Sequence, residues 1–511
     1  MQESISPNRL YLIIAALLAL FLGALDALIV SAAMPSIVTD LGGLTLYSWV
    51  YSAYFLARAV SLPVFGKLAD LFSTRRLFLF SITVFLLASL GAGAAPSMSF
   101  LIGARVFQGI GSGGIFALVY IVLSDISPPG ERGKTLSFAS SVWGISSIIG
   151  PTLGGCIVTY FSWRWIFFLN VPLALVSLVT IGRCLPRLDR QAKKVRLDFA
   201  GIGCLSGFIL SFLTIFIIGG RDYGWLSGEI LSLGAMSMIF ATLFVFVEKR
   251  AADPVLDLRF FARPVFALGN GAAFCASFAI FSLFAYVPLF LEGALVKTPM
   301  QTGVTMLSLS LGWSAGSLVL GRFVDGAGSR RAAVLGGTLL AVSGVVMLLF
   351  SPKTSLTACF FVFLVAGLGM GFVTLSTLLL VQGDLAKVNL GVATSFHQFS
   401  RTLGGTIGVG ICGGVMTTGL FRQLEGSAAM MPVKVMALLH ESMENLFREE
   451  FRHMLSRKSE AVLSLAVSDA MSTVFVLILS AAVLCLICGV ILSSRPSLRD
   501  GKSSNPGDDR N

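Results

Sequence analysis

One carboxylate in this chain sits where a carboxylate is expensive. Asp26 lies inside the apolar run Leu10–Met34, which is long enough to cross the ~30 Å hydrocarbon core of a bilayer. Ionisable side chains at that depth are costly, and they mark proton relays, ion pathways or counter-ions. Two arginines are spaced to meet it: Arg58 within the apolar run 48–68 and Arg105 within the run 98–122. At ~1.5 Å rise per residue, all three fall near one depth if consecutive runs alternate in direction. The spacing predicts an Asp26–Arg105 pair with Arg58 as second partner or rival. Burial disfavours a charged carboxylate and a neighbouring cation favours it, so a motion that trades these environments makes a proton switch. The plainer alternative is a permanent structural ion pair. His397 and Arg401 stand one helical turn apart in the run 394–419. A histidine exchanges its proton near neutrality, so His397 is a relay candidate, beside the reading of a packed core histidine.

The elements that carry these residues are membrane helices. The chain has 511 residues, 55% hydrophobic and only 12% charged, with mean hydropathy +0.87. That is far from soluble globular composition. Apolar runs at 10–33, 48–68, 77–95, 98–122, 135–158, 165–184, 199–219, 229–248, 265–292, 302–323, 331–350, 356–381, 394–419 and 471–493 predict fourteen spans. The net charge of +11 does not suggest nucleic acid, because the basic residues sit in short loops with no aromatic-interleaved patch. All eight cysteines lie in or beside apolar runs, which argues against disulfides and zinc. Cys485 and Cys488 have CxxC spacing but no further ligands nearby. Neither a cofactor nor a metal is expected, and no nucleophile–base pair or phosphate loop suggests an enzyme. The first apolar run is too long for a signal peptide and is expected to remain in the mature protein.

Charge sets the orientation. Alternate loops carry Lys67, Arg75, Arg76, Arg132, Lys134, Arg183, Arg187, Arg190 and further basic residues, whereas the opposite loops carry only Arg164, Arg221, Lys297 and Lys353. The positive-inside rule then puts both termini in the cytoplasm. A faint repeat links Gly66-Lys-Leu-Ala-Asp70, followed by Arg75, with Gly321-Arg-Phe-Val-Asp325, followed by Arg330. Equivalent motifs in equivalent loops imply two homologous halves. The expected division is an N-terminal six-helix bundle (1–190), two linker helices (191–260), five helices of a second bundle (261–419), an amphipathic segment on the outer side (420–470), and a last span with a cytoplasmic tail (471–511).

Several blocks together resemble the major facilitator superfamily, and within it the fourteen-span drug:proton antiporter family. They are Leu25-Asp26 through Met34-Pro35, Trp49-Val-Tyr-Ser-Ala-Tyr54, Arg105-Val-Phe-Gln108-Gly109, Gly150-Pro151-Thr-Leu-Gly154-Gly155, Trp163 through Asn170-Val-Pro172, and Phe399-Ser-Arg401-Thr-Leu-Gly404-Gly405. The resemblance implies an all-α membrane fold of two six-helix bundles plus two extra helices. It supports the Asp26–Arg105 pair and places Arg401 in a family motif, whereas an arginine at 58 departs from the family's usual pattern. In the family, the Gly66–Asp70 loop helps to latch one conformation. Leu71 and Ser73 depart from the residues common there. Gly150-Pro151 reads as a mid-span helix break with glycines for close packing, or as a plain packing motif.

The resemblance implies a proton-coupled antiporter that exports hydrophobic or amphipathic compounds across an inner membrane. Its expected partners are small amphipathic substrates, protons, membrane lipid and a periplasmic adaptor protein, with no nucleic acid. Gln108, Phe281, Tyr286 and Glu292 are candidate cavity residues, with Glu292 wet near the outer end. One alternative keeps the fold and exports an endogenous lipid, siderophore or secondary metabolite. Another is a non-transporting sensor or scaffold.

Overall fold

The structure, a computed structural model, describes residues 7–42, 46–128, 130–185, 198–219, 223–251, 253–323, 328–425 and 456–493. The described residues are almost wholly helical. The helices are α1 (Pro7–Leu41), α2 (Tyr47–Leu71), α3 (Thr74–Gly93), α4 (Met98–Asp125), α5 (Arg132–Tyr160), α6 (Arg164–Phe168) and α7 (Asn170–Cys184). They continue with α8 (Phe199–Ile218), α9 (Gly228–Glu248), α10 (Pro264–Leu289), α11 (Pro299–Phe323), α12 (Gly328–Met347), α13 (Leu356–Asp384), α14 (Leu390–Glu425) and α15 (Arg457–Ser493). Among the described residues, twelve segments are long and apolar enough to cross a membrane, α6 and α7 counting as one. The long helices α2 and α5 are outside that set. They carry Arg58, Pro63 and many Ser, Thr and Gly residues, and both pack along the seam described below. Helix α14 runs on to Glu425 and α15 begins at Arg457. Most of the amphipathic stretch, residues 426–455, lies outside the described residues.

The chain folds as two halves with the same packing plan. In the first, α1 packs on α5 and α7, and α4 packs on α2 and α3. In the second, α10 packs on α14 and α15, and α13 packs on α11 and α12. Small residues make this close approach possible, as is common where helices associate in lipid. A Cβ on Gly111 would meet the α3 backbone at Phe85 N, 2.7 Å away. On α13, a Cβ at Gly369 would meet Gly336 O of α12 at 2.7 Å. The halves touch through α5 with α11 and through α2 with α14. Helices α8 and α9 pair with each other, and α8 leans on both α2 and α14, so the linker pair covers one side of the seam.

Helix α5 runs unbroken through Gly150-Pro151, so the expected mid-span break is absent. A helix can keep its course at a proline when neighbouring helices hold it. Here Gly150 lies against Leu28 of α1, whose Cβ is 3.0 Å from the position a Gly150 side chain would start.

Candidate functional site

Asp26 is fully buried and multiply held. Its Oδ2 accepts from Nη1 of Arg105, also fully buried. Its Oδ1 accepts from Gln108 Nε2 at 3.2 Å and from Asn170 Nδ2 at 3.0 Å. Ser89 Oγ accepts from Gln108 Nε2 at 2.8 Å. Arg105 also donates to Gln108 Oε1 at 3.0 Å and, through Nε, to the Val50 carbonyl at 3.2 Å. Its guanidinium lies 4.2 Å from the centroid of the Tyr54 ring. Helix α4 supplies Arg105 and Gln108 one turn apart, α1 supplies the carboxylate, and α7 opens with Asn170. A buried pair is tolerated only when its remaining hydrogen-bonding positions are filled, and Gln108 and Asn170 do that for Asp26.

Arg58 does not join this network. Among the described residues it makes no bond to Asp26, and its Nε and Nη1 have no hydrogen-bond partner. Its guanidinium rests 3.8 Å from the Phe116 centroid and 5.4 Å from that of Trp143. The two residues share a depth, but the Tyr54 ring, one turn along α2, occupies the approach to Arg105. The Tyr54 hydroxyl donates to Gly23 O at 3.0 Å or shares its hydrogen with Ser112 Oγ at 2.7 Å.

Across the seam, Trp143 of α5 stacks on Trp313 of α11, with centroids 6.4 Å apart and planes within 7° of parallel. Arg401 of α14 lies 5.3 Å from the Trp313 centroid and donates to Gln398 Oε1 at 2.9 Å. The Tyr120 hydroxyl is close to Arg401 and Gln398 but makes no bond of proper geometry to either. His397 is fully buried and meets Thr377 Oγ1 at 2.9 Å. Because Thr377 donates its own hydrogen to Val373 O at 2.7 Å, its oxygen accepts from His397 Nε2–H. That assigns the proton to Nε2 and leaves Nδ1 as an open acceptor. The residues expected to act together are thus two groups: Asp26 with Arg105, and His397 with Arg401 near Arg58.

The basic end of the bundle is closed by a latch. Asp70 accepts from the first amides of α14, Gly391 N at 2.7 Å and Val392 N at 2.9 Å. A carboxylate at a helix N-terminus satisfies orphan N–H groups and the macrodipole together. These bonds go to the other half of the chain. Gly66 lies against Ser395 and Gly391, and Gly321 lies against Ser137 and Gly133. Ser395 and Ser137 each stand five residues after their helix's first residue, Leu390 and Arg132. A further cross-seam bond joins Ser124 Oγ to Gln382 Oε1 at 2.8 Å. Arg75 donates to the Gly182 carbonyl within its own half, and Arg330 stands in the first turn of α12. Asp325 lies outside the described residues. Gly154 is buried, whereas a Cβ on Gly155 would meet nothing within 4 Å, so Gly155 is no packing glycine here.

The cavity candidates divide likewise. Gln108 belongs to the Asp26 network. Phe281 meets Trp313 edge-on at 6.3 Å and so borders the aromatic seam. Tyr286 donates to Val409 O at 2.7 Å. Glu292 is 8% exposed within the π-helical turn Phe290–Ala294, whose Phe290, Leu291 and Ala294 are buried with it, so it is buried where a wet position was expected. Ser89, Trp143, Trp313 and Gln398 carry no signal in the sequence blocks above, and Tyr54 and Asn170 enter there only as members of a block. Asn170 had a signal, as the one amide in an apolar block after Trp163.

The sequence profile of the Major Facilitator Superfamily matches residues 16–409. The chain is 33% identical over 415 residues to the "Multidrug transporter protein MdtP" of Bacillus subtilis (strain 168), covering 81% of this chain and 76% of that one. It is 30% identical over 407 residues to "Multidrug resistance protein 3" of the same organism, covering 80% and 79%. Among solved structures, the human organic anion transporter MFSD10 (TETRAN) superposes with a TM-score of 0.62 at 13% identity, covering 94% of this chain and 99% of that one. A bacterial homologue of the human lysosomal transporter Spinster, inward-facing and unoccupied, gives 0.55 at 17% identity, covering 97% and 100%. Two halves of equivalent packing, a latch across their seam and the match along most of the chain agree: this protein belongs to the Major Facilitator Superfamily.

Proposed function

We propose that the protein is a proton-coupled antiporter of the fourteen-span type that exports hydrophobic or amphipathic compounds across an inner membrane, with both termini in the cytoplasm. The homologues named as multidrug transporters support efflux. The observation that carries the coupling is the way Asp26 divides its bonds. Oδ2 faces Arg105, whereas Oδ1 faces two neutral amides. A proton arriving on Oδ2 displaces Arg105 Nη1 and leaves Oδ1 held by Gln108 and Asn170. The carboxyl stays in place and the guanidinium is freed, keeping Gln108 Oε1 and Val50 O as partners. Proton uptake thereby removes the charged tie between α4 and α1 and leaves the neutral Gln108 contact, which loosens α4 against α1. Since Asp26 is fully buried, the proton enters only when the end opposite the Asp70 latch opens, as alternating access requires.

The test is substrate-induced proton flux in proteoliposomes. Wild-type protein is expected to move protons when substrate is added, and Asp26→Asn and Arg105→Ala are not. Transport that continues unchanged after the pH gradient is dissipated would remove the proposal.

A further inference from the structure

The aromatic seam has an unusual polarity. Among the described residues, seven buried side-chain atoms there have no hydrogen-bond partner: Arg58 Nε and Nη1, Arg401 Nε, Trp143 Nε1, Trp313 Nε1, Gln398 Nε2 and the Tyr120 hydroxyl. Six of them can only donate, and the Tyr120 hydroxyl, which can also accept, lies close to Arg401 and Gln398. Buried polar groups are normally satisfied, so a group of open donors is a demand for an acceptor. Among the described residues the hydroxyls of Ser146, Ser277 and Thr374 are also unpartnered and can donate or accept, whereas the open pure acceptors His397 Nδ1 and Asn270 Oδ1 lie closer to the basic end.

The charge points the same way. Arg58 is 6% exposed and Arg401 5% exposed, and the two repel each other. Among the described residues neither forms an ion pair with a carboxylate, since Asp26 is committed to Arg105. A pair of buried cations without a counter-charge attracts an anion and excludes a cation. The stacked indoles of Trp143 and Trp313 lie between them, and an aromatic ring of an occupant can pair with such rings by offset or edge-on contact.

We infer that the site between Arg58, Trp143, Trp313 and Arg401 binds an aromatic organic acid in its anionic form, with the ring on the indoles and the acid group on the open N–H donors. The site takes α2 and α5 from one half and α11 and α14 from the other. An occupant therefore bridges the elements that separate when the halves rock, and it binds one arrangement better than another. As a substrate assignment this rests on the exporter reading; as a binding site it does not.

Three matched probes test it on the purified full chain in detergent: naphthoate, naphthamide and naphthylmethylammonium, titrated by calorimetry. Naphthoate is expected to bind about tenfold or more tighter than naphthamide, as for a charge-assisted hydrogen bond, and the ammonium compound to show no heat of binding. Arg58→Gln and Arg401→Gln should each weaken naphthoate about tenfold and naphthamide less. Trp313→Leu should weaken both. The inference is overturned if the cation binds as well as the anion, if none of the three binds, or if both glutamine variants keep wild-type affinity for naphthoate. The wild-type series decides even where a variant does not fold. Naphthoate binding without proton-linked transport would remove the exporter reading and leave this site standing; proton-linked transport of amines by a protein that ignores naphthoate would do the reverse.

Discussion

Ser395 of α14 fills the space that any side chain at Gly66 of α2 would need. A Cβ built there collides with the Ser395 side chain and lies 2.8 Å from Gly391 O. Gly321 stands to Ser137 in the same relation, with a Cβ 2.6 Å from the serine Cβ. The two halves of the chain thus close their basic end by one device used twice. Gly66→Val and Gly321→Val should each disfavour the closed arrangement by about 1–3 kcal/mol, the usual cost of overpacking. A cysteine placed at Ser124, whose hydroxyl bonds across the seam, should then react with maleimide about tenfold faster.

Asp70 adds a charge term to that closure. Removing a helix N-cap costs ~0.5–2 kcal/mol, and asparagine caps about as well as aspartate. Closure should therefore weaken in the order wild type, Asp70→Asn, Asp70→Ala. The same Ser124-cysteine labelling checks it. Equal labelling in all three proteins would show that the cap does not hold the gate.

Arg105→Ala should be the more harmful half of the buried pair. It leaves the Asp26 charge without its counter-ion, at a cost of about 3–5 kcal/mol. Asp26→Asn leaves Arg105 with Gln108 Oε1 and Val50 O and should cost less. The double variant Asp26→Asn/Arg105→Gln should recover part of the loss. Unfolding midpoints in detergent measure all three.

Gly155 and Gly369 should behave oppositely on substitution. Gly155→Ala meets nothing within 4 Å and should be neutral or stabilising by up to about 1 kcal/mol, from helix propensity. Gly369→Ala puts its Cβ 2.7 Å from Gly336 O and 2.9 Å from Leu340 Cγ, and should destabilise by about 1–3 kcal/mol. Matched unfolding midpoints for the two alanine variants give the comparison.

One surface carboxylate has a defined pH window. The Arg164 guanidinium and the Trp163 indole, both donating to Asp40 Oδ2, hold the Asp40 carboxyl below its ordinary value. A lowered carboxyl stabilises the fold above its unfolded pKa of about 3.9, and the contribution is lost as pH falls through the lower folded value. The stability gap between wild type and Asp40→Asn should be constant above about pH 5 and close in strong acid. Thermal unfolding at a series of pH values reads it. Asp40 is exposed, so the gap should also shrink with salt.

Sequence by itself determined the membrane class, the order of the helices, the doubled Gly–Asp motif and the common depth of Asp26, Arg58 and Arg105. Those follow from quantities that run along one dimension: apolar length, spacing, and the depth of a charge. Tertiary structure alone decided which way each residue faces about its helix axis. Arg58 shares a depth with Asp26, yet the Tyr54 ring stands against Arg105 and Arg58 turns to Phe116 and Trp143. Asp70 reads as facing basic residues across a loop, and it caps a helix 321 residues away. Trp143 and Trp313 are unremarkable in sequence and stack only because α5 meets α11. Rotation about a helix axis is set by packing against neighbours distant in the chain, and no local pattern encodes it.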